Sequence, residues 1–210
     1  NLLAIKDVNK ILRAHFYSKD NIFGIAVMFN DQDLCLEVGK YFVDTKYRNS
    51  PIYRETLDMD GTLWNGNVSS KELSSNLSNG ERGVISLSRN IISTESLKQV
   101  GVIAMAIRKE LLLDVISPIE LEKESGIVVL DENNEIILSR ENEGAMPDRV
   151  FTREGLGSIE RAIASNSQGH ITLDNEKDKF LINYGLIPEN DWKVISFMPY
   201  SHIMEQTEGI

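Results

Sequence analysis

The sequence predicts an α+β protein, a long N-terminal helix followed by two tandem modules built on antiparallel sheets. Three observations predict it. Residues 126–138, GIVVLDENNEIIL, read as a hairpin of two apolar runs around a polar turn at 131–135. A near-copy, GIAVMFNDQDLCL, lies 102 residues upstream at 24–36, with no gap needed to align the two. Each copy is then closed by a further pair of strand-like segments in the same order, 83–91 with 100–107 and 179–187 with 192–198. A unit that recurs in order is the mark of duplicated modules, here of about a hundred residues each. The boundaries this predicts are 1–21 for the helix, 22–117 for the first module and 118–210 for the second.

Composition narrows the classes of partner. The chain has 210 residues, 41% hydrophobic and 26% charged, with a net charge of −10. That length supports two modest cores. The acidic balance argues against nucleic acid, whose phosphates need clustered Lys and Arg, and against an anionic membrane surface. Cys35 is the single cysteine, which excludes an internal disulfide and a cysteine zinc cluster; its alternating apolar run predicts a small buried hydrophobe. No run approaches the roughly 18 apolar residues of a membrane span, and no signal peptide is visible. A start at Asn1 without Met suits a fragment excised from a longer protein.

Taken in order, Leu2, Leu3, Ile5, Val8, Ile11, Leu12 and Phe16 fall at helical spacing, and this first helix is expected to end near 18–21. His15 beside Phe16 reads as a packed or surface histidine. The first hairpin follows over 22–42, its second strand alternating Leu34, Leu36 and Val38 with Cys35, Glu37 and Gly39. Pro51 at a natural first helical position predicts a short helix or turn over 51–57. A turn at 58–61 leads to a strand begun by Leu63 and Trp64, and 69–81, rich in Ser, Asn and Gly, reads as a surface loop. Strands over 84–92 and 100–107 flank a turn at 94–98, and Val84, Ser86 and Ser88 fall on one strand face. A helix starts at Lys109, Ser117-Pro118 marks the domain seam, and 119–124 reads as a short connecting helix. In the second module, a helix over 156–164 precedes strands at 171–173, 180–185 and 192–198. Asn190-Asp191 signals the last hairpin turn.

One motif points elsewhere. Residues 58–63, DMDGTL, carry the phosphate-transfer signature of haloacid-dehalogenase-like phosphatases, with Asp58 as nucleophile and Asp60 as general acid around Mg²⁺. That chemistry needs the first Asp at the carboxyl end of a buried parallel strand, and Tyr53, Arg54, Glu55 and Thr56 could not form one. The three histidines, His15, His170 and His202, lie far apart without a metal motif, residues 131–135 lack the spacing of a calcium loop, and there is no nucleophile elbow or phosphate loop. The sequence assembles no catalytic centre, cofactor site or metal site.

The first-helix stretch ILRAHFYSKDNIFGIAV, then TLWNG, ISLSRNI, VGVIAMAIRKELL and the closing DWKVISFMPYSHI together resemble the double Cache family across nearly the whole chain. These are tandem PAS-like extracytoplasmic sensors of bacterial receptors, and the details lean toward sensor histidine kinases. The resemblance implies a fragment that sits between two membrane helices, a homodimeric receptor with its kinase outside this chain, and a small-molecule ligand in the first, membrane-distal module. Chemoreceptors and cyclases with the same fold are the alternative, and a module that reads a protein partner is another. The family's pocket lies over the sheet, roofed by the segment that here spans 50–64.

The amino-acid-binding branch of that family carries Arg-x-Trp-Tyr and a later Asp. Matching on Tyr53 and on 100–107 puts Ser50 at the Arg position, Ile52 at the Trp and Ala106 at the Asp, so only Tyr53 fits and both charged anchors for an α-amino acid are missing. The expected liners are Tyr41, Tyr53, Arg54, Asp58, Trp64, Ser86 and Ser88, a set of aromatics, hydroxyls and a carboxylate suited to a neutral polar ligand such as a sugar. The competing reading makes Trp64 a core residue and Arg54 a surface ion pair. Tyr184 and Trp192 of the second module are expected only to pack.

Overall fold

A computed structural model of the chain describes residues 2–31, 34–39, 47–68, 83–175 and 178–208. Its described residues divide into two compact units, Asn1–Leu111 and Leu112–Ile210. The expected seam at Ser117-Pro118 lies six residues further along.

In the first unit, helix α1 (Leu2–Tyr17) precedes β1 (Ile22–Phe29), β2 (Cys35–Gly39), a 3₁₀ turn (Tyr47–Asn49) and α2 (Pro51–Asp58). Strands β3 (Thr62–Val68), β4 (Val84–Ile92) and β5 (Gln99–Arg108) complete it, and α3 (Glu110–Ile116) leads on to the second unit. The sheet runs β2-β1-β5-β4-β3, antiparallel throughout. The apolar face of α1 covers one side of it, where Leu12 packs with Ile25, Val27, Leu36 and Val38. The other side carries Ala26, Met28, Val84, Val102, Ala104 and Ala106 beneath Tyr47 and Tyr53. Helix α2 begins where the sequence calls for it. Pro51 supplies the first φ, and the hydroxyl of Ser50 accepts the backbone N–H of Tyr53 at 3.2 Å.

The second unit contains β6 (Gly126–Leu130), β7 (Ile136–Glu141), α4 (Pro147–Val150), α5 (Arg153–Ser165), β8 (Gln168–Asp174), β9 (Lys179–Ile187), β10 (Trp192–Pro199) and α6 (Tyr200–Glu208). Its sheet order, β7-β6-β10-β9-β8, repeats the first. The predicted repeat is therefore a repeat of topology. Gly24 and Gly126, matched in sequence, sit at equivalent points, opposite Ala106 and Phe197 of the closing strand. The core lies against α5 and includes Val128, Ile159, Ile182, Tyr184, Ile195 and Phe197.

The short helix expected over 119–124 does not form. Carbonyls in and just before it are taken by side chains instead. Arg140 donates to the carbonyls of Ile116 (2.8 Å) and Ile119 (2.6 Å), and Asn142 Nδ2 donates to that of Leu121 (2.7 Å). Glu124 adopts a φ of +61°, outside any right-handed helix. The same economy holds the hairpin turn after β6. Lys193 is only 8% exposed, and its Nζ donates to the carbonyls of Asp131 and Glu132 (both 3.2 Å) and to Asn134 Oδ1 (2.8 Å). Three acceptors offset the cost of burying that ammonium.

Candidate functional site

Strand register decides which candidate residues can meet. Side chains of directly opposed residues lie on the same side of a sheet. Ser86 opposes Ala106 and Asn65, while Ser88 opposes Ala104 and Leu63, so these six share the face toward α2. Trp64 opposes Leu87, which in turn opposes Met105, and Met105 packs on the α1 side. Trp64 therefore lies on the opposite face from Ser86 and Ser88. The expected grouping of all three around one ligand is corrected by a single-residue parity that the sequence leaves open.

The remaining candidates separate in the same way. Tyr53 is buried on the α2 face, and its hydroxyl donates to Asn30 Oδ1 at 2.9 Å while its ring meets Tyr47 edge-on at 5.2 Å. Burial above all, then the neighbouring Tyr47, holds its phenol above the usual tyrosine range, against the opposing pull of Arg48. Arg54 is exposed and clamps the 3₁₀ turn, its Nε donating to the Arg48 carbonyl (3.1 Å) and its Nη2 to Asn49 Oδ1 (2.9 Å). Asp58 is the exposed last residue of α2. It sits at the end of a helix in a unit whose described strands are all antiparallel, so the buried parallel strand that a phosphatase nucleophile requires is not there. Tyr41 lies outside the described residues, as does the predicted loop at 69–81.

What faces α2 is a floor of small side chains. Ala104 and Ala106 are fully buried, Ser86 is 2% exposed and Ser88 3%. Thr56, also fully buried, reaches from α2 to share a 2.6 Å hydrogen bond with Ser88 and donates to the carbonyl of Ile52. Thr56 is the residue that sequence reasoning missed, and its helical offset of three from Tyr53 was the available signal. At the end of this face Asn90 Nδ2 donates to the carbonyl of Met59 at 2.9 Å, and Asn30 Nδ2 to that of Gln99 at 3.2 Å. Cys35 packs at the margin of the same core. Burial first, then Glu37, pushes its thiol up to about 12.

The two sheets can be compared position by position, because their registers match. Where the first has Ala26, Ser86, Ser88, Ala104 and Ala106, the second has Val128, Ile182, Tyr184, Ile195 and Phe197. Every one of the five is smaller in the first sheet. The second sheet fills its own space against α5, and Tyr184 even reaches the Ala162 carbonyl at 3.3 Å. Over the small side chains of the first sheet lie Tyr47 and Tyr53, with Ile52 and Leu57 packed against the same core.

The three positions that sequence matching set against the amino-acid anchors are accounted for within the fold. Ser50 caps α2, Ile52 packs on the core and Ala106 is part of the floor. Among the described residues no three His, Cys, Asp or Glu side chains gather as a metal site, and no described helix is long and apolar enough to cross a membrane.

No family model and no curated protein matches the sequence, but solved structures match the fold. The extracellular domain of mmHK1S-Z2, assigned as a histidine kinase, has a TM-score of 0.70 at 10% identity, over 95% of this chain and 83% of its own. The ligand-binding domain of the Campylobacter jejuni chemoreceptor Tlp3, solved with L-norvaline, gives 0.62 at 16% identity, over 95% and 73%. The ligand-binding domain of Mlp24, solved with asparagine, gives 0.58 at 12% identity, over 95% and 79%. An N-terminal helix, two five-stranded antiparallel sheets of identical order and these likenesses agree: the chain has the double PAS-like, Cache-type α+β fold of the extracellular sensor domains of histidine kinases and chemoreceptors.

Proposed function

We propose that this chain is the extracytoplasmic sensor domain of a bacterial transmembrane receptor, a histidine kinase that acts as a homodimer. Its first module binds a small neutral polar molecule, such as a sugar, between α2 and the sheet. The observation that carries the reading is the floor of Ala26, Ser86, Ser88, Ala104 and Ala106, small at all five positions that the second sheet fills with large side chains. Serine hydroxyls offer both donor and acceptor without charge, which suits a neutral polar ligand, and Ser50, Ile52 and Ala106 supply no charged anchor for an amino acid. The fragment is non-enzymatic, with the kinase elsewhere in the receptor. A ligand gripped between α2 and the sheet acts by favouring the conformation that binds it better, and its reach is limited by that difference in affinity.

A thermal-shift screen against sugars, other neutral polyols, carboxylates, amines and amino acids tests this. Ligand at about 100 times its Kd adds roughly 2.7 kcal/mol, a shift of several degrees for a domain of this size. Ser86→Ile, which copies Ile182 of the second sheet, should fold and abolish the shift. A shift that survives Ser86→Ile places the ligand elsewhere, and no shift across the panel favours a receptor that reads a protein partner.

A further inference from the structure

The second unit contains a cavity of its own, of about 260 Å³, where its chain connections meet the first turn of α6. Glu124, Arg149, Asp178 and Lys179 line it, with Phe180 as an apolar wall and Ser201 of α6 at its edge. The lining charges balance, two acidic and two basic. Arg149, Asp178 and Lys179 are already in ion pairs within the unit, and Glu124 lies beside a histidine. Arg149 bridges Asp178, Lys179 Nζ lies 3.6 Å from Asp174 Oδ1 and 4.9 Å over the Tyr200 ring, and Glu124 Oε2 lies 3.7 Å from Nε2 of His202 on α6. Side-chain exposures of 43% and 33% in the Arg149–Asp178 pair mark it as solvent-screened and easily rearranged. The wall beside Glu124 also requires glycine. Gly144 has a φ of +79°, and a Cβ there would stand 2.9 Å from Glu124 Cγ.

From this geometry we infer that the cavity is a second binding site, for a small zwitterion carrying one carboxylate and one protonated amine. A simple anion would face Glu124 and Asp178, and a simple cation would face Arg149 and Lys179. Only a molecule bearing both charges can exchange with the existing pairs charge for charge. The carboxylate belongs with Arg149 and Lys179, and the amine with Glu124 and Asp178. Because Ser201 edges the cavity and His202 and Tyr200 hold its walls, occupancy acts directly on α6. The site is separate from the floor of the first sheet and stands whether or not that floor binds a ligand.

Titration of the ¹⁵N-labelled chain with glycine, L-serine and β-alanine tests it, with acetate and methylammonium as single-charge controls. The expected result is saturating amide shifts at Glu124, Gly144, Phe180 and Ser201 with at least one zwitterion and with neither control. Lys179→Gln and Arg149→Gln, each checked by thermal unfolding, should weaken that binding about tenfold, while Ser86→Ile leaves it unchanged. Shifts that do not saturate, equal shifts with acetate or methylammonium, shifts centred on Ser86 and Ala106, or no response to all three zwitterions would overturn the assignment.

Discussion

At the scale of single residues, the first module rests on a small number of fully buried hydroxyls. Thr56 and Ser88 bond each other at 2.6 Å, one from α2 and one from β4, with no water-exposed alternative for either. Removing Thr56 takes from the desolvated Ser88 hydroxyl this partner, and removing Ser88 leaves Thr56 only its bond to the Ile52 carbonyl, so either single loss costs more than its share of losing both. Thr56→Val and Ser88→Ala should therefore each destabilise the protein by about 1–3 kcal/mol, and the double variant by clearly less than their sum. Urea denaturation of the three variants measures this. Additive losses would mean that the pair does not tie α2 to the sheet. The same residues show how much of the site could be read in advance. The shared strand face of Ser86 and Ser88 is legible from a two-residue period, and so is the amphipathic α2 that presents Tyr53. The position of Trp64 was not legible, because its face depends on pairing with Leu87, twenty-three residues away, and a one-residue slip would reverse it.

At the scale of elements, close approach of backbones sets the limits. Gly101 opens β5 where it passes β1, and a Cβ there would lie 2.3 Å from the carbonyl oxygen of Met28. That oxygen is backbone within a paired strand and has nowhere to move. Gly157 lies inside α5 with nothing within 4 Å of an added Cβ. Gly101→Ala should cost about 1–3 kcal/mol through forced separation of the strands, whereas Gly157→Ala should stabilise by roughly 0.5–1 kcal/mol by restricting the unfolded chain and favouring helix. Thermal unfolding of the two variants should shift in opposite directions. The segment over 119–124 belongs to this scale too. Its composition permits a helix, and it is irregular instead, with Arg140 and Asn142, on and just after β7, claiming the carbonyls of Ile119 and Leu121.

At the scale of the whole molecule, the two sheets share a topology but differ in what fills their inner faces. Both sheets have the same order and register, yet one spends its inner face on Val128, Ile182, Tyr184, Ile195 and Phe197 and the other on three alanines and two serines. The second unit, with a closed core of its own, should fold alone. A fragment of residues 109–210, which keeps α3 whole, is expected to unfold cooperatively with a stability on the order of 5 kcal/mol or more. A fragment without dispersed NMR signals or a cooperative transition would show that its core is not self-sufficient.

The sequence by itself determined the fold class, the duplication and the order of the strands along the chain. These are written in local period, in turn residues and in repeat spacing, which need no knowledge of what lies across the sheet. Only the tertiary structure decided that Trp64 turns away from Ser86 and Ser88, that Arg54 and Asp58 face outward, and that Thr56 joins the floor. It alone brought Glu124, Arg149, Asp178 and Lys179 to one cavity beside α6. The physical reason is common to all of these. Register between strands and convergence of distant loops are set by how two faces pack together, and that information is spread over residues tens of positions apart.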